Sequence, residues 1–124
     1  MMDKNELEID GVKYVREDSI KSTQPATCKK GLSYKIVRTY SAGVFAGWLK
    51  KRVGKEATLV DVRRVWYWSG ANSLSQLAME GTKNPGDCKF AMAVDEIELT
   101  EVIEVLCVTK KAQDSILGVA EWKK

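Results

Sequence analysis

The stretch Tyr34-Lys-Ile-Val-Arg-Thr-Tyr-Ser-Ala-Gly-Val-Phe-Ala-Gly47 decides how this chain folds. Its first seven residues are rich in β-branched and aromatic side chains, which is the usual composition of a half-buried strand. Ser-Ala-Gly then supplies small residues where one strand can turn into the next, which begins at Val44. We therefore expect a domain that begins near Leu32 and is built on antiparallel strands.

Three further strands are expected immediately downstream. Residues 44–51 and 56–60 are predicted to pair as a hairpin around the turn-like Arg52–Lys55. Val62–Trp68 alternates imperfectly but has the composition of another strand. Together with the first strand, these segments predict a meander of about four strands.

The last third of the chain adds more strand-like sequence. Phe90–Val94 and Ile97–Val108 both have this character, and the second keeps an apolar period of two that slips near Glu101. A β-bulge or bend would explain the slip. A helix over 100–107 is the alternative, since Thr100 and Glu101 could begin one.

Two short helices complete the domain. Each has a hydroxyl or amide residue as N-cap and a glycine at its end. They are Leu74–Glu80, capped by Asn72 or Ser73 and followed by Gly81, and Lys110–Leu117, capped by Thr109 and followed by Gly118. The predicted fold is α+β, a mostly antiparallel sheet of five or six strands with two short helices.

The first 31 residues are predicted to be an extension preceding a single compact domain at 32–124. Asp10-Gly11 is a two-residue hairpin signal between short arms. Residues 21–31 are polar, contain Pro25 and lack periodicity, which is typical of a linker or mobile arm.

The composition favours binding over catalysis. The 124 residues include no histidine, so imidazole acid–base chemistry, histidine-dependent nucleophiles and histidine metal ligands are excluded. The three cysteines are widely spaced and form no CxxC pair, so we expect reduced thiols and neither a metal nor a cofactor. A charged start without an apolar run predicts no signal peptide, and no stretch is long enough for a membrane helix.

Charge is distributed unevenly along the chain. The net charge is zero for residues 1–31, +6 for 32–90 and −3 for 91–124, which gives +3 for the whole chain. A basic middle and an acidic end suit an anionic ligand or contacts between subunits, although solvated surface would give the same numbers.

Two motifs in the basic middle are candidate ligand sites. In the first, Arg38 precedes the small turn of Ser41, Ala42 and Gly43, whose amides and hydroxyl could bind an anion, although a plain corner explains it as well. In the second, alternation would place Arg64, Trp66 and Trp68 on one strand face, with Arg63 opposite and Asn72 just beyond. A guanidinium beside two indoles suits a nucleotide, but such a cluster can also be core.

The acidic run and the cysteines carry weaker signals. Asp95, Glu96, Glu98, Glu101 and Glu104 could bind a metal, but alternation with apolar residues makes a solvent face the better explanation. No base partner identifies a cysteine nucleophile.

The strings Tyr34–Gly47 and Arg63-Arg-Val-Trp-Tyr-Trp-Ser-Gly-Ala-Asn-Ser-Leu-Ser-Gln-Leu-Ala78 resemble a family of small bacteriophage proteins. Within that set, the chain resembles the Thoeris anti-defense sponge proteins of the first described type. The resemblance covers about residues 34–122.

The resemblance implies a protein that is not an enzyme. Such sponges bind cyclic ADP-ribose isomers made by the TIR enzymes of the Thoeris system, and some also bind cyclic dinucleotides or trinucleotides. They act in the host bacterial cytoplasm as homo-oligomers, dimers or a hexamer built from dimers, with pockets between subunits. The candidate ligand residues carried over are Arg38, Ser41, Ala42, Gly43, Arg63, Arg64, Trp66, Trp68 and Asn72.

Other classes of function stay open at this point. One alternative is a phage inhibitor that binds a host enzyme through the aromatic strand. Another is a single-stranded nucleic-acid binder, although the low net charge and the acidic end make nucleic acid an unlikely partner. The last alternative is a small structural phage protein that binds no ligand.

Overall fold

The computed structural model describes residues 24–122. Six strands and two helices occur in this range, with a short 3₁₀ turn at Pro85–Asp87. In chain order the elements are β1 (Ser33–Thr39), β2 (Val44–Val53), β3 (Glu56–Tyr67), α1 (Leu74–Glu80), β4 (Lys89–Phe90), β5 (Val94–Leu99), β6 (Val102–Cys107) and α2 (Lys110–Leu117). The predicted α+β fold is confirmed.

All strand pairs are antiparallel, and the sheet curls strongly. From one edge the order is β4, β3, β2, β1 and β6, and β5 also pairs with β3 beside β4. Only Thr100 and Glu101 connect β5 on one side of the sheet to β6 on the other. Three Cα–Cα steps span at most about 11 Å, so the two sides of the sheet approach each other at this link.

The bend near Glu101 is therefore confirmed, and the helical alternative for 100–107 is wrong. Both flanking segments pair with other strands, β5 with β3 and β6 with β1. The strand-like Phe90–Val94 is also corrected, because β4 ends at Phe90 and Val94 already belongs to β5.

β3 is one continuous strand, so the expected four-strand meander has only three strands. The predicted break near residue 61 is a bulge within β3. Asp61 has a φ of 46°, and the pairing with β2 shifts between Ala46 and Trp48. The extra residue reverses the alternation of side chains, because a β-bulge adds one residue without a partner.

Each face of the sheet has its own hydrophobic core. On one face, the two helices cover a cluster that includes Ile36, Trp48 and Phe90. On the other face, the curled sheet encloses a second cluster that includes Val37 and Phe45. Neighbouring residues such as Ile36 and Val37 are both fully buried, because successive side chains of a strand point to opposite faces.

Both helices begin where the sequence predicted. The Ser73 hydroxyl accepts a hydrogen bond from the Gln76 amide, and the Thr109 hydroxyl accepts one from the Ala112 amide. Gly81 follows α1 with a φ of 78°, which a glycine adopts without strain. Within residues 24–122, neither helix is long and apolar enough to cross a membrane.

The part of the predicted linker that the structure describes is bound to the domain. The Ala26 amide donates to the Val108 carbonyl, and the Lys110 amide donates to the Gln24 carbonyl. The Asp10-Gly11 hairpin prediction lies outside the described residues.

The close approach of β2 and β3 at Gly47 gives a first prediction. A Cβ added at Gly47 would lie 2.7 Å from the Val62 Cβ and 2.8 Å from its Cα. We expect Gly47→Ala to lower the free energy of unfolding by about 1–3 kcal/mol, because a packed core tolerates added volume poorly. Urea denaturation followed by circular dichroism measures this loss.

Gly86→Ala is the matched control, since no atom lies within 4 Å of a Cβ at that position. Equal stability losses in the two variants would contradict the packing argument.

Candidate functional site

The two adjacent arginines of β3 lie in opposite environments. Arg63 belongs to the helix-covered face, and its guanidinium lies over the Phe90 ring. Arg64 belongs to the inner face of the curled sheet, and its guanidinium lies over the Phe45 ring. The sequence predicted these opposite faces from simple alternation, whereas the bulge at Asp61 determines which face each arginine takes.

Arg63 is a structural residue. It is 6% exposed, and all five of its N–H donors have main-chain carbonyl acceptors at 2.8–3.4 Å. The acceptors are the carbonyls of Phe90, Ala91, Ile116, Val119 and Ala120. Arg63 has no donor left for a ligand, so we remove it from the candidate site.

Burial affects the ionisation of Arg63 and of the nearby Tyr34. Burial lowers the pKa of Arg63, and the nearby Tyr34 and Glu121 oppose that shift. Burial also raises the pKa of Tyr34, an effect that the charge of Arg63 opposes. In both cases burial disfavours the charged form of the side chain.

Arg64 has the opposite character. It is half-buried, and its Nε is buried without a hydrogen-bond partner. Within residues 24–122, no carboxylate or carbonyl accepts a hydrogen bond from its guanidinium. Its contacts are with two rings, whose centres lie 4.9 Å (Phe45) and 5.6 Å (Trp66) from the guanidinium carbon.

The aromatic residues after Arg64 separate in space. Trp66 is 60% exposed and contacts Arg64, so these two predicted residues do meet. Tyr67 follows and is 52% exposed. Trp68 is half-buried and packs against the helix-covered core, because β3 ends at Tyr67 and the alternation stops there. The prediction that Trp68 shares the face of Arg64 and Trp66 is wrong.

The predicted anion turn is occupied by internal bonds. The Thr39 hydroxyl accepts from the Ala42 amide and donates to the Gly43 carbonyl at 2.8 Å. The Ser41 hydroxyl bonds to the Glu101 carboxylate. Gly43 has a φ of 102°, which explains the glycine. The Ala42 amide and the Ser41 hydroxyl, two of the predicted anion donors, are therefore already bonded within the protein.

Arg38 and Asn72 also have partners within the protein. The Arg38 Nε donates to a Glu104 carboxylate oxygen at 2.9 Å, and both side chains are about half exposed. The main-chain N–H of Asn72 donates to the side-chain oxygen of Gln76 at 2.7 Å, at the start of α1. Of the predicted set, the structure brings Arg64 and Trp66 together.

The acidic and cysteine side chains form no metal-binding cluster in the described range. No group of three or more cysteine or acidic side chains is close enough to hold a metal ion within residues 24–122. Cys88 is buried, whereas Cys28 and Cys107 are exposed, and all three are free thiols. The Sγ of Cys107 accepts a hydrogen bond from Lys35 Nζ at 3.3 Å.

A groove of about 390 Å³ lies at the β2–β3 hairpin end, which the sequence did not indicate. Its lining mixes one ammonium, two carboxylates and small or apolar side chains. They belong to Lys51, Val53, Glu56, Ala57, Thr58, Glu98, Leu99 and Thr100. Thr58 and Arg64 are six residues apart on β3, roughly 20 Å along a strand, so this groove is separate from the Arg64–Trp66 pair.

Comparison with known proteins identifies one family. A family model described as a domain of unknown function, DUF6948, matches residues 32–116. No curated protein and no solved structure matches the chain.

The contrast between the two arginines gives a second prediction. We expect Arg63→Met to lower the free energy of unfolding by about 3 kcal/mol or more, because it removes five hydrogen bonds to carbonyls, of which only those of Phe90 and Ile116 keep a main-chain donor within residues 24–122. We expect Arg64→Gln to change it by less than about 1 kcal/mol, since Arg64 has no acceptor to lose. Chemical denaturation of both variants measures the difference.

Each variant is the control for the other, because both remove one positive charge from neighbouring positions of β3. Equal destabilisation by the two substitutions would show that the hydrogen bonds of Arg63 do not stabilise the fold.

Proposed function

This chain belongs to the DUF6948 family, and we propose that it binds a small cyclic nucleotide and holds it without converting it. The observation that carries the proposal is the Arg64–Trp66 pair. Arg64 is half-buried, its Nε is buried without an acceptor among residues 24–122, and Trp66 is 60% exposed.

The unpartnered charge of Arg64 is the first feature that supports the proposal. A half-buried arginine usually has a carboxylate or carbonyl partner, because donors removed from water without an acceptor cost free energy. Arg38 and Arg63 both have such partners. Arg64 contacts two aromatic rings and its Nε has no acceptor among residues 24–122, which supports an anion supplied by a ligand as the missing acceptor. A phosphate suits a guanidinium because it can accept two parallel hydrogen bonds.

The exposed ring of Trp66 is the second feature that supports the proposal. The Trp66 ring lies beside the guanidinium and is mostly exposed, which leaves aromatic surface for a planar group. A nucleobase stacks on such a surface with about 1–3 kcal/mol of favourable free energy. An anion and a planar ring held a few ångströms apart are the two parts of a nucleotide.

The finer proposal is sequestration of immune signals. The Tyr34–Gly47 and Arg63–Ala78 strings resemble those of the Thoeris anti-defense sponges, which supports cyclic ADP-ribose isomers as ligands and the host bacterial cytoplasm as the place of action. The absence of histidine supports binding without turnover. Effective capture needs a Kd near nanomolar, or about 12 kcal/mol. A single arginine–tryptophan pair is too small for that affinity, which supports further contacts from a second copy of the chain.

A protein-binding inhibitor is the second candidate. Exposed tryptophan, tyrosine and arginine are the residue types that dominate binding energy at protein interfaces. Trp66 and Tyr67 are both more than half exposed and adjacent on β3. The two candidates differ in the effect expected from substituting Tyr67, because the proposed nucleotide contact uses Arg64 and Trp66 and not Tyr67.

The central experiment is capture and release. The purified full chain is incubated with cyclic ADP-ribose isomers, cyclic dinucleotides and an oligonucleotide, and the free fraction is then assayed. Heat denaturation follows, and the released molecules are identified by mass spectrometry. We expect one cyclic nucleotide to be depleted and then recovered intact. A hydrolysed product would contradict non-enzymatic binding.

Variants then locate the site. We expect Arg64→Gln and Trp66→Ala each to weaken retention of that nucleotide at least tenfold, because each removes one half of the proposed contact. Tyr67→Ala is the aromatic control on the same strand, and Arg52→Gln removes an exposed charge elsewhere. Isothermal titration measures all four affinities.

Loss of retention in both controls as well as in the site variants would place the ligand elsewhere. If no nucleotide is depleted, while Tyr67→Ala and Trp66→Ala both abolish binding of a host protein, the protein-binding candidate replaces the proposal.

A further inference from the structure

Residues 24–29, which we call the strap, cross the start of α2 in an extended conformation. Pro25 forms an antiparallel bridge with Thr109. On either side of that bridge, the Ala26 amide donates to the Val108 carbonyl at 3.0 Å, and the Lys110 amide donates to the Gln24 carbonyl at 2.8 Å. The strap is therefore held through main-chain hydrogen bonds, as a peptide is held when it extends a sheet.

A buried glutamine completes this main-chain recognition. Gln113 of α2 is 2% exposed. Its side-chain oxygen accepts from the Thr27 amide at 2.8 Å, and its side-chain nitrogen donates to the Thr27 carbonyl at 3.0 Å. Without the strap, both polar groups of a buried amide would lose these partners. Gln113 therefore binds the main chain of an extended segment, and it does so from a helix face that is otherwise apolar.

The strap's side chains contribute little except at two positions. Ala26 is the one strap residue that is half-buried, and it packs against the helix-covered core. Three residues later, Lys29 lies over the Trp48 ring at 4.7 Å and forms an ion pair with Asp61. The site therefore takes an extended peptide with a small residue followed, three positions on, by a cation.

The connection between the strap and β1 is a strained two-residue turn. Lys29 and Leu32 exchange both of their main-chain hydrogen bonds, and the turn consists of Lys30 (φ 51°) and Gly31 (φ 78°). Two positive φ angles suit Asn-Gly or Gly-Gly, whereas lysine adopts this conformation with difficulty. Opening the turn would relieve that strain.

We propose that the strap is exchangeable and that the strap of a second copy of this chain binds in the same site. A second copy supplies the same main-chain groups, the same Ala26 and the same Lys29, so every contact made within one chain can be made between two. A short strained hinge is the feature that favours such an exchange. The proposal goes beyond nucleotide binding and does not depend on it.

The hinge offers a pair of opposite variants. Gly31→Val disfavours the positive φ and so the closed turn, and a Cβ at Gly31 has no atom within 4 Å, so its effect is on the main chain alone. Lys30→Asn favours the closed turn, because asparagine tolerates positive φ. We expect the first to promote exchange and the second to suppress it.

A disulfide reports which chain each strap occupies. Gln24→Cys and Lys110→Cys are introduced into the full chain, where the bridge at Pro25–Thr109 places these positions opposite each other. The exposed Cys28 and Cys107 are changed to serine. Each hinge variant is concentrated, oxidised and examined on a denaturing gel without reductant. We expect at least fivefold more covalent dimer with Gly31→Val than with Lys30→Asn.

Every cross-linking pattern either supports or contradicts exchange of the strap. Cross-links within single chains in both variants would overturn exchange while confirming that the strap is docked. The absence of any cross-link in both would overturn the docked strap itself. Circular dichroism of Gly31→Val shows whether the domain stays folded, and a folded variant without covalent dimers contradicts the proposal.

Discussion

The buried guanidinium of Arg63 is the interaction on which the arrangement of this domain depends. It connects β3 to the carbonyls after β4 and to those at and beyond the end of α2, so one side chain fixes three segments that are distant in sequence. The buried charge is tolerated because all five N–H donors have acceptors. For the same reason we expect substitutions at Arg63 to destabilise the fold. The packing of α2 on the sheet follows from this contact together with the apolar face of Ala112 and Ile116.

A single residue upstream decides which arginine takes that place. The bulge at Asp61 shifts the register with β2, so that Val62 and Arg64 face the interior of the curled sheet and Arg63 faces α2. Arg64 is then placed over Phe45 and beside Trp66 without a hydrogen-bond acceptor among the described residues. One arginine stabilises the fold, and its neighbour has a buried Nε without an acceptor among the described residues. Identical residue types therefore acquire opposite roles from one extra residue in a strand.

The sequence predicted most of the secondary structure for local reasons. Caps at Ser73 and Thr109 and the β-branched composition of residues 34–40 act within a few residues, so they can be read without the fold. The candidate site was predicted less well. Arg38, Ser41 and Arg63 have hydrogen-bond partners 53–66 residues away in the sequence. No local pattern shows that their hydrogen bonds are already used. Trp68 was misplaced because alternation was extended beyond the end of β3.

By itself, the sequence determined the α+β class, the two capped helices, the exclusion of imidazole chemistry and the basic, aromatic character of the middle segment. These properties depend on composition and on contacts between near neighbours. The tertiary structure alone decided that Arg63 is internal and Arg64 has no acceptor among the described residues, that residues 24–29 are a docked strap, and that β5 and β6 lie on opposite sides of one curled sheet. Each of these features depends on contacts between residues that are distant in sequence. Strand register and main-chain pairing determine those contacts, and both exist only in the folded chain.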